Sequence, residues 1–229
     1  MGAASALLLA GCCAAQPPTP AEGLDRYLAH RARAGCENPV FAVRIEASVP
    51  RLKKQGSMSG LKLVSKTGQV AYRALRFTGD NLVKTAVIER FLTHEMDPSE
   101  QVEGAGVTLE NYTFLYERTA DYNGFKAYVF RLKPKRKRAG LFRGELWLDA
   151  ASGAPLRLWG DLVKSPSIFI RNFRFVEDYP DPSQCGEPAR LLLTVGSRIA
   201  GLVEMAVWFE SAGAEAQIGN SDQDQSTQR

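Results

Sequence analysis

Residues 144–158 read GELWLDAASGAPLRL. Leu146 and Leu148 alternate with Glu145 and Trp147, the period of a strand with one face in a core, and after a short interruption Leu156 and Leu158 flank Arg157 in the same way. The interruption carries turn chemistry. Asp149 has a short polar side chain that bonds to nearby backbone, and Gly153 tolerates a positive φ. The stretch therefore predicts two antiparallel strands, Phe142 to Asp149 and Pro155 to Leu162, joined by the turn ASGA.

Working outward, the same period recurs along most of the chain. In VFAVRIEASVP, Val40 to Pro50, residues Phe41, Val43, Ile45, Ala47 and Val49 alternate with Arg44, Glu46 and Ser48. Met58 to Ser65 and Gln69 to Phe77 follow, separated by the turn signal KTG. Further strands are expected at Tyr112 to Arg118, Phe125 to Leu132, Ser167 to Glu177, Leu191 to Arg198 and Val203 to Glu210, with DYNG as another turn. Two stretches have a helical period instead. Ala21 to Ala34 sets Leu24, Tyr27 and Leu28 against Arg26, Arg31 and Arg33. In GDNLVKTAVIERFLTHE, Asp80 or Asn81 can cap a helix with Leu82, Ala86, Val83, Val87 and Phe91 on its apolar stripe, ending at Asp97-Pro98.

The expected fold is mainly β (α+β): a curved antiparallel sheet or unclosed β-barrel of about ten strands, with two helices covering its concave face. The domain spans residues 24–210. Residues 211–229 are polar and free of aromatic side chains, which reads as a disordered tail.

The 229 residues are 45% hydrophobic and 24% charged, the composition of an ordinary globular chain. The formal net charge is +4, yet Lys133 to Arg143, KPKRKRAGLFR, alone holds six cations. The rest is close to neutral, so attraction to polyanions is local. Placed between two strands, the run is a hairpin tip. Its candidates for contact with anionic lipid are Lys133, Lys135, Arg136, Lys137 and Arg138; the alternative is a solvated loop that discourages edge pairing. An export signal argues against nucleic acid.

That signal is the apolar start, residues 1–11, which is too short to span a bilayer. It ends in Leu9-Ala10-Gly11-Cys12, which resembles the lipobox of bacterial lipoproteins, although no Lys or Arg precedes the apolar run. The resemblance implies an acylated Cys12, a tether over residues 12–23, and an outer-membrane lipoprotein facing the periplasm, with a soluble periplasmic protein as the alternative. In such a compartment Cys36 and Cys185 are either a disulfide or two unpaired thiols.

The order of elements, and above all Leu146-Trp147-Leu148-Asp149 followed by Ser152-Gly153-Ala154-Pro155, resembles the LolA/LolB-like family of lipoprotein carriers and its relatives. The resemblance implies an open barrel wrapped on helices with an apolar cavity for acyl chains. Candidate lining residues are Phe41, Val43, Ile45, Tyr128, Phe130, Leu146 and Leu148. Several strands are apolar on both faces: Tyr128, Phe130 and Leu132 lie opposite Phe125, Ala127 and Val129, and Ile168, Ile170 and Val176 opposite Phe169, Phe173 and Phe175. Such strands need cover on both sides.

No catalytic set emerges. His94, Glu95 and Asp97 cluster in HEMD without the second histidine of a metalloprotease helix, and GSMSG, Gly56 to Gly60, has Met58 where a nucleophile would stand. Glu145 and Asp161 lie on neighbouring strands with Arg143 and Arg157 to neutralise them. The expectation is a non-enzymatic exported lipoprotein without metal or cofactor, binding the acyl chains of lipoproteins or lipids. The alternative is an envelope assembly or sensor protein that binds a protein partner through its apolar sheet.

Overall fold

The computed structural model describes residues 18–31, 39–97, 104–179 and 188–212. Ten strands, β1 (Val40–Val49), β2 (Lys54–Val64), β3 (Val70–Gly79), β4 (Tyr112–Tyr122), β5 (Phe125–Pro134), β6 (Phe142–Asp149), β7 (Pro155–Leu162), β8 (Ile170–Asp178), β9 (Arg190–Ser197) and β10 (Gly201–Ser211), form a single sheet. Its order is β3-β2-β1-β10-β9-β8-β7-β6-β5-β4, every pair antiparallel. Pairing of β1 with β10 curls the chain back on itself, but β3 and β4 are edges and do not meet. The result is the mainly β, curved and unclosed sheet that the alternation implied.

The opening hairpin shows why. Asp149 Oδ2 accepts from the backbone N and Oγ of Ser152 at 2.8 and 2.6 Å, and Gly153 N donates to Asp149 O at 2.8 Å. Gly153 has φ 78°, a conformation that costs any residue with a Cβ, and a Cβ there would lie 2.7 Å from Gly23 O. The turn is thus also a seat for the first helix, whose Arg26 Nη1 donates to Ala151 O at 2.6 Å. Within the same hairpin Gly144 faces Gly160, and a side chain at either would collide with Trp159 O or the Phe142 ring. Glycines at this pair let the sheet bend, and register shifts in β2–β3, β4–β5, β6–β7 and β8–β9 add twist.

Helix α1 (Pro20–Arg31) opens with a capping box. Glu22 Oε2 accepts from Thr19 N at 2.7 Å, Thr19 Oγ1 accepts from Glu22 N at 3.4 Å, and Pro20 is the first helical residue. Its hydrogen bonds from Thr19 hold the Glu22 carboxyl below its usual pKa. The second helical element runs through α2 (Asn81–Val83), a π-helical stretch (Lys84–Glu89) and α3 (Arg90–Met96). Asp80 caps it, accepting from Leu82 N at 2.8 Å and pairing with Lys54. The wide π turns change which side chains face inward. Val83, Ile88 and Leu92 are buried and Val87 and Phe91 partly so, whereas Leu82 and Ala86, expected on the stripe, are exposed.

Two apolar clusters fill the inward face. Under α1 lie Tyr112, Tyr128, Phe130, Leu132, Leu146 and Leu148 of β4 to β6. Under residues 81–96 lie Phe41, Val43, Ile45, Met58, Met205 and Val207 of β1, β2 and β10. Each side chain fully withdrawn from water contributes about 1.5–3 kcal/mol, so each helix holds its own half of the sheet. The strand expected from Ser167 begins only at Ile170, leaving Ile168 and Phe169 in the preceding loop, 79% and 53% exposed. The proposed signal (1–11), most of the tether, Cys12, Cys36, Cys185 and the tail beyond Ala212 lie outside the described residues. Among the described residues, no helix is long and apolar enough to cross a membrane.

Candidate binding face

Pairing register identifies which side chains of the central strands point inward. Val207 and Met205 of β10, both buried, oppose Leu191 and Leu193 of β9, and Leu193 opposes Phe175 of β8. Val195 opposes Phe173 on the same face. Phe175 belongs to the α1 side, its ring 4.8 Å from that of Phe142 and nearly perpendicular to it. Leu191 and Leu193 belong to the other side. Phe173 and Val195 fall between the clusters and join neither, and both are only part-buried. Among the described residues, no helix crosses this middle.

The result is an apolar strip between two helix-covered flanks. Two strands about 4.8 Å apart give it a floor roughly 10 Å wide. Along β8 the apolar inward positions are Phe173 and Phe175, about 7 Å apart, and Glu177 follows on the same face. One end of the strip opens where Ile170 pairs with Ser197, beside the exposed loop residues Phe169 and Ile199.

The seven residues put forward as cavity lining are all on the inward face, but in two groups. Phe41, Val43 and Ile45 pack under residues 81–96, and Tyr128, Phe130, Leu146 and Leu148 under α1. None exceeds 8% exposure, so they form the walls' packed interior, whereas Phe173 on β8 and Val195 on β9 are part-buried. Val195 and Leu193 were not singled out in sequence; the available signal was LLLTV, apolar on both faces of one strand.

The basic run does cap a hairpin, between β5 and β6. Two of its cations are structural: Lys135 Nζ donates to Leu109 O at 2.7 Å and Arg138 Nη2 to Gly104 O at 2.6 Å. Lys133, Arg136 and Lys137 are exposed, and with Arg143 they line an open hollow of about 460 Å³. Among the described residues no carboxylate pairs with any of these four.

The carboxylates considered for chemistry are committed on the outer face. Asp161 accepts two bonds of 2.8 Å from Arg174, holding that guanidinium above its usual pKa, and not from its cross-strand neighbour Arg143. Glu145 accepts from the indoles of Trp147 and Trp159 at 2.9 and 3.3 Å and pairs with Arg118 rather than an arginine of β6 or β7. Arg157 pairs with the buried Asp178, which also accepts from Tyr122 and Arg190. Burial and the bond to Asp178 push the Tyr122 hydroxyl up. In HEMD, Glu95 reaches into the sheet to Lys62, whose side chain is 3% exposed, at 3.2 Å, and accepts from Tyr72. Among the described residues, no cluster of His, Cys, Asp and Glu could hold a metal ion.

No family model and no curated protein matches the chain. Several solved structures are similar to the chain. The chain is similar to a LolA superfamily protein from Nitrosomonas europaea, at 10% identity over 84% of this chain and 92% of that one, with a TM-score of 0.37. It is similar to an outer membrane lipoprotein-sorting protein domain from Vibrio parahaemolyticus, at 12% identity over 84% and 92%, TM-score 0.39. It is also similar to MucB in the MucA/MucB complex of Pseudomonas aeruginosa, at 12% identity over 87% and 96%, TM-score 0.28.

Proposed function

We propose that the protein is a non-enzymatic binding protein of the cell envelope that holds an acyl chain of a lipid or lipoprotein on the inward face of β8 and β9. The observation that carries this reading is the uncovered strip at Phe173 and Val195 between two independently packed flanks. Burial of each methylene there contributes about 0.8 kcal/mol, so transfer needs no bond made or broken, only a difference in burial between this strip and an acceptor. The lipobox-like Leu9 to Cys12 supports acylation at Cys12 and attachment to the outer membrane on its periplasmic side. The seven packed residues serve this reading as the walls that keep the strip open.

Native mass spectrometry after mild extraction tests it. The expected result is a lipid-mass adduct that disappears in Phe173→Asp while the fold survives by circular dichroism. A clean apo mass accompanied by a bound protein would replace the carrier with the alternative, a sensor or assembly protein. Changing Cys12 to Ser and finding the protein still membrane-bound would remove the lipoprotein claim.

A further inference from the structure

All strands being antiparallel, the turns β1–β2, β5–β6, β7–β8 and β9–β10 emerge at one end of the sheet. They are stitched side by side. Lys135 N donates to Asn111 O at 2.8 Å, Val163 N to Leu141 O at 2.9 Å, and Arg198 N to Phe169 O at 2.8 Å. The Cβ position of Gly201 is 3.3 Å from Arg51 Cδ, bringing the β1–β2 turn into the row. These four segments, residues 50–53, 135–141, 163–169 and 198–200, contain lysines and arginines and no carboxylate. Glu110 is the one carboxylate of residues 104–111, the neighbouring loop to whose backbone Lys135 and Arg138 are tied. The three turns at the opposite end that the structure describes throughout, residues 65–69, 123–124 and 150–154, carry a single charge, Lys66.

The basic end also carries the most exposed large apolar side chains of the described chain. Leu109, on the neighbouring loop, is 57% exposed, and Ile168 is 79%, Ile199 73% and Phe169 53% exposed. The last three stand on two adjacent loops next to the basic hollow lined by Lys133, Arg136, Lys137 and Arg143. Apolar side chains held out in water beside cations that no described carboxylate pairs have an energetic cost that a lipid–water interface relieves: the cations meet phosphate-bearing headgroups and the apolar tips enter the acyl boundary. Water alone relieves only the charges.

We propose that this end is a membrane-docking rim, with Ile168, Phe169 and Ile199 inserting into an anionic bilayer surface while the hollow at Lys133, Arg136 and Lys137 seats its phosphates. The rim adjoins the open end of the β8–β9 strip, yet docking does not depend on a chain being bound there.

The test uses the full chain carrying Cys12→Ser, so that no acyl anchor contributes, cosedimented with vesicles of phosphatidylcholine and of phosphatidylcholine mixed with phosphatidylglycerol. Binding is expected on the mixed vesicles only, weakening as salt rises. The triple variant Lys133→Gln, Arg136→Gln, Lys137→Gln spares the two cations that tie the loop, and lowers partitioning roughly a hundredfold. The variant Ile168→Ser, Phe169→Ser, Ile199→Ser lowers it about tenfold or more. All six side chains are outside the core, so both variants keep the parent's melting temperature. Lys126→Gln, at the opposite end, leaves binding unchanged. Equal binding to both vesicle types, variants that bind like the parent, or an equal loss in Lys126→Gln overturns the proposal. So does displacement by inorganic phosphate at matched ionic strength, which would make the hollow a small-anion site.

Discussion

The flanks and the middle of the inward face are made from strands of the same character, yet they are treated differently. Phe130 on β5 is 3% exposed beneath α1, and Phe173 on β8, equally aromatic and pointing the same way, has no helix over it among the described residues. The flanks' helices are each fastened at both apolar and polar points: α1 by Tyr27 and the Gly153 turn, residues 81–96 by Asp80 and the Lys62–Glu95 pair. With two helices of limited length and ten strands, the cover runs out over β8 and β9. Cover is therefore a property of where the helices are pinned, and the pins are what a test should pull.

The largest effect is expected at the α1 pin. Gly153→Ala forces a Cβ into positive φ and against Gly23 and Arg26, a loss of about 4 kcal/mol measured by urea unfolding, with α1 released first in hydrogen exchange. Phe130→Ala in the same flank costs a similar ~4 kcal/mol by opening a cavity. If the middle is bare as described, Phe173→Ala costs less than half as much, about 1.5 kcal/mol; equal losses at the two positions would mean that the strip is as packed as its flanks. Between these lies Glu95→Ala, which removes the carboxylate 3.2 Å from the buried Lys62 ammonium and costs about 3 kcal/mol.

The smallest change is Asp80→Ala, a slight loss of stability for the lost cap. Burial pushes the Asp80 carboxyl upward, but the bonds from Lys54 and the α2 backbone prevail and hold it below 3.8. A lowered folded pKa means that the cap contributes in full above that value and is lost as pH falls through the folded pKa. The stability difference between parent and Asp80→Ala should accordingly shrink toward zero at acid pH; a constant difference would assign it to packing.

Much of this architecture was legible in the chain. Phe142–Asp149 and Pro155–Leu162 coincide with the expected strands because alternation and turn chemistry agree there. The capping box at Thr19 to Glu22 was equally readable, though it was passed over. Of the stripe expected in residues 81–96, Val83, Val87 and Phe91 face the core while Leu82 and Ala86 do not, and Ile88 and Leu92 join it, because a π turn resets helical phase without any residue that announces it. Ile168 and Phe169 read as strand because two apolar neighbours satisfy either a two-faced strand or an exposed loop, and only the start of pairing at Ile170 separates them. The arginine partners of Glu145 and Asp161 lay on β4 and β8, beyond what spacing within one hairpin can indicate.

By itself, the sequence determined the strands, their turns, the identity of the inward faces and the concentration of charge at Lys133 to Arg143. These depend on periods of two and on local backbone bonds, which neighbours along the chain supply. The tertiary structure alone decided that the cavity candidates pack in two flanks, that among the described residues no helix lies over Phe173 and Val195, and that Lys135 and Arg138 are tied to described backbone while Lys133, Arg136 and Lys137 are not. Those outcomes turn on which helix lies over which strand and which loops share an end of the sheet, and such long-range relations leave no period in the chain to read.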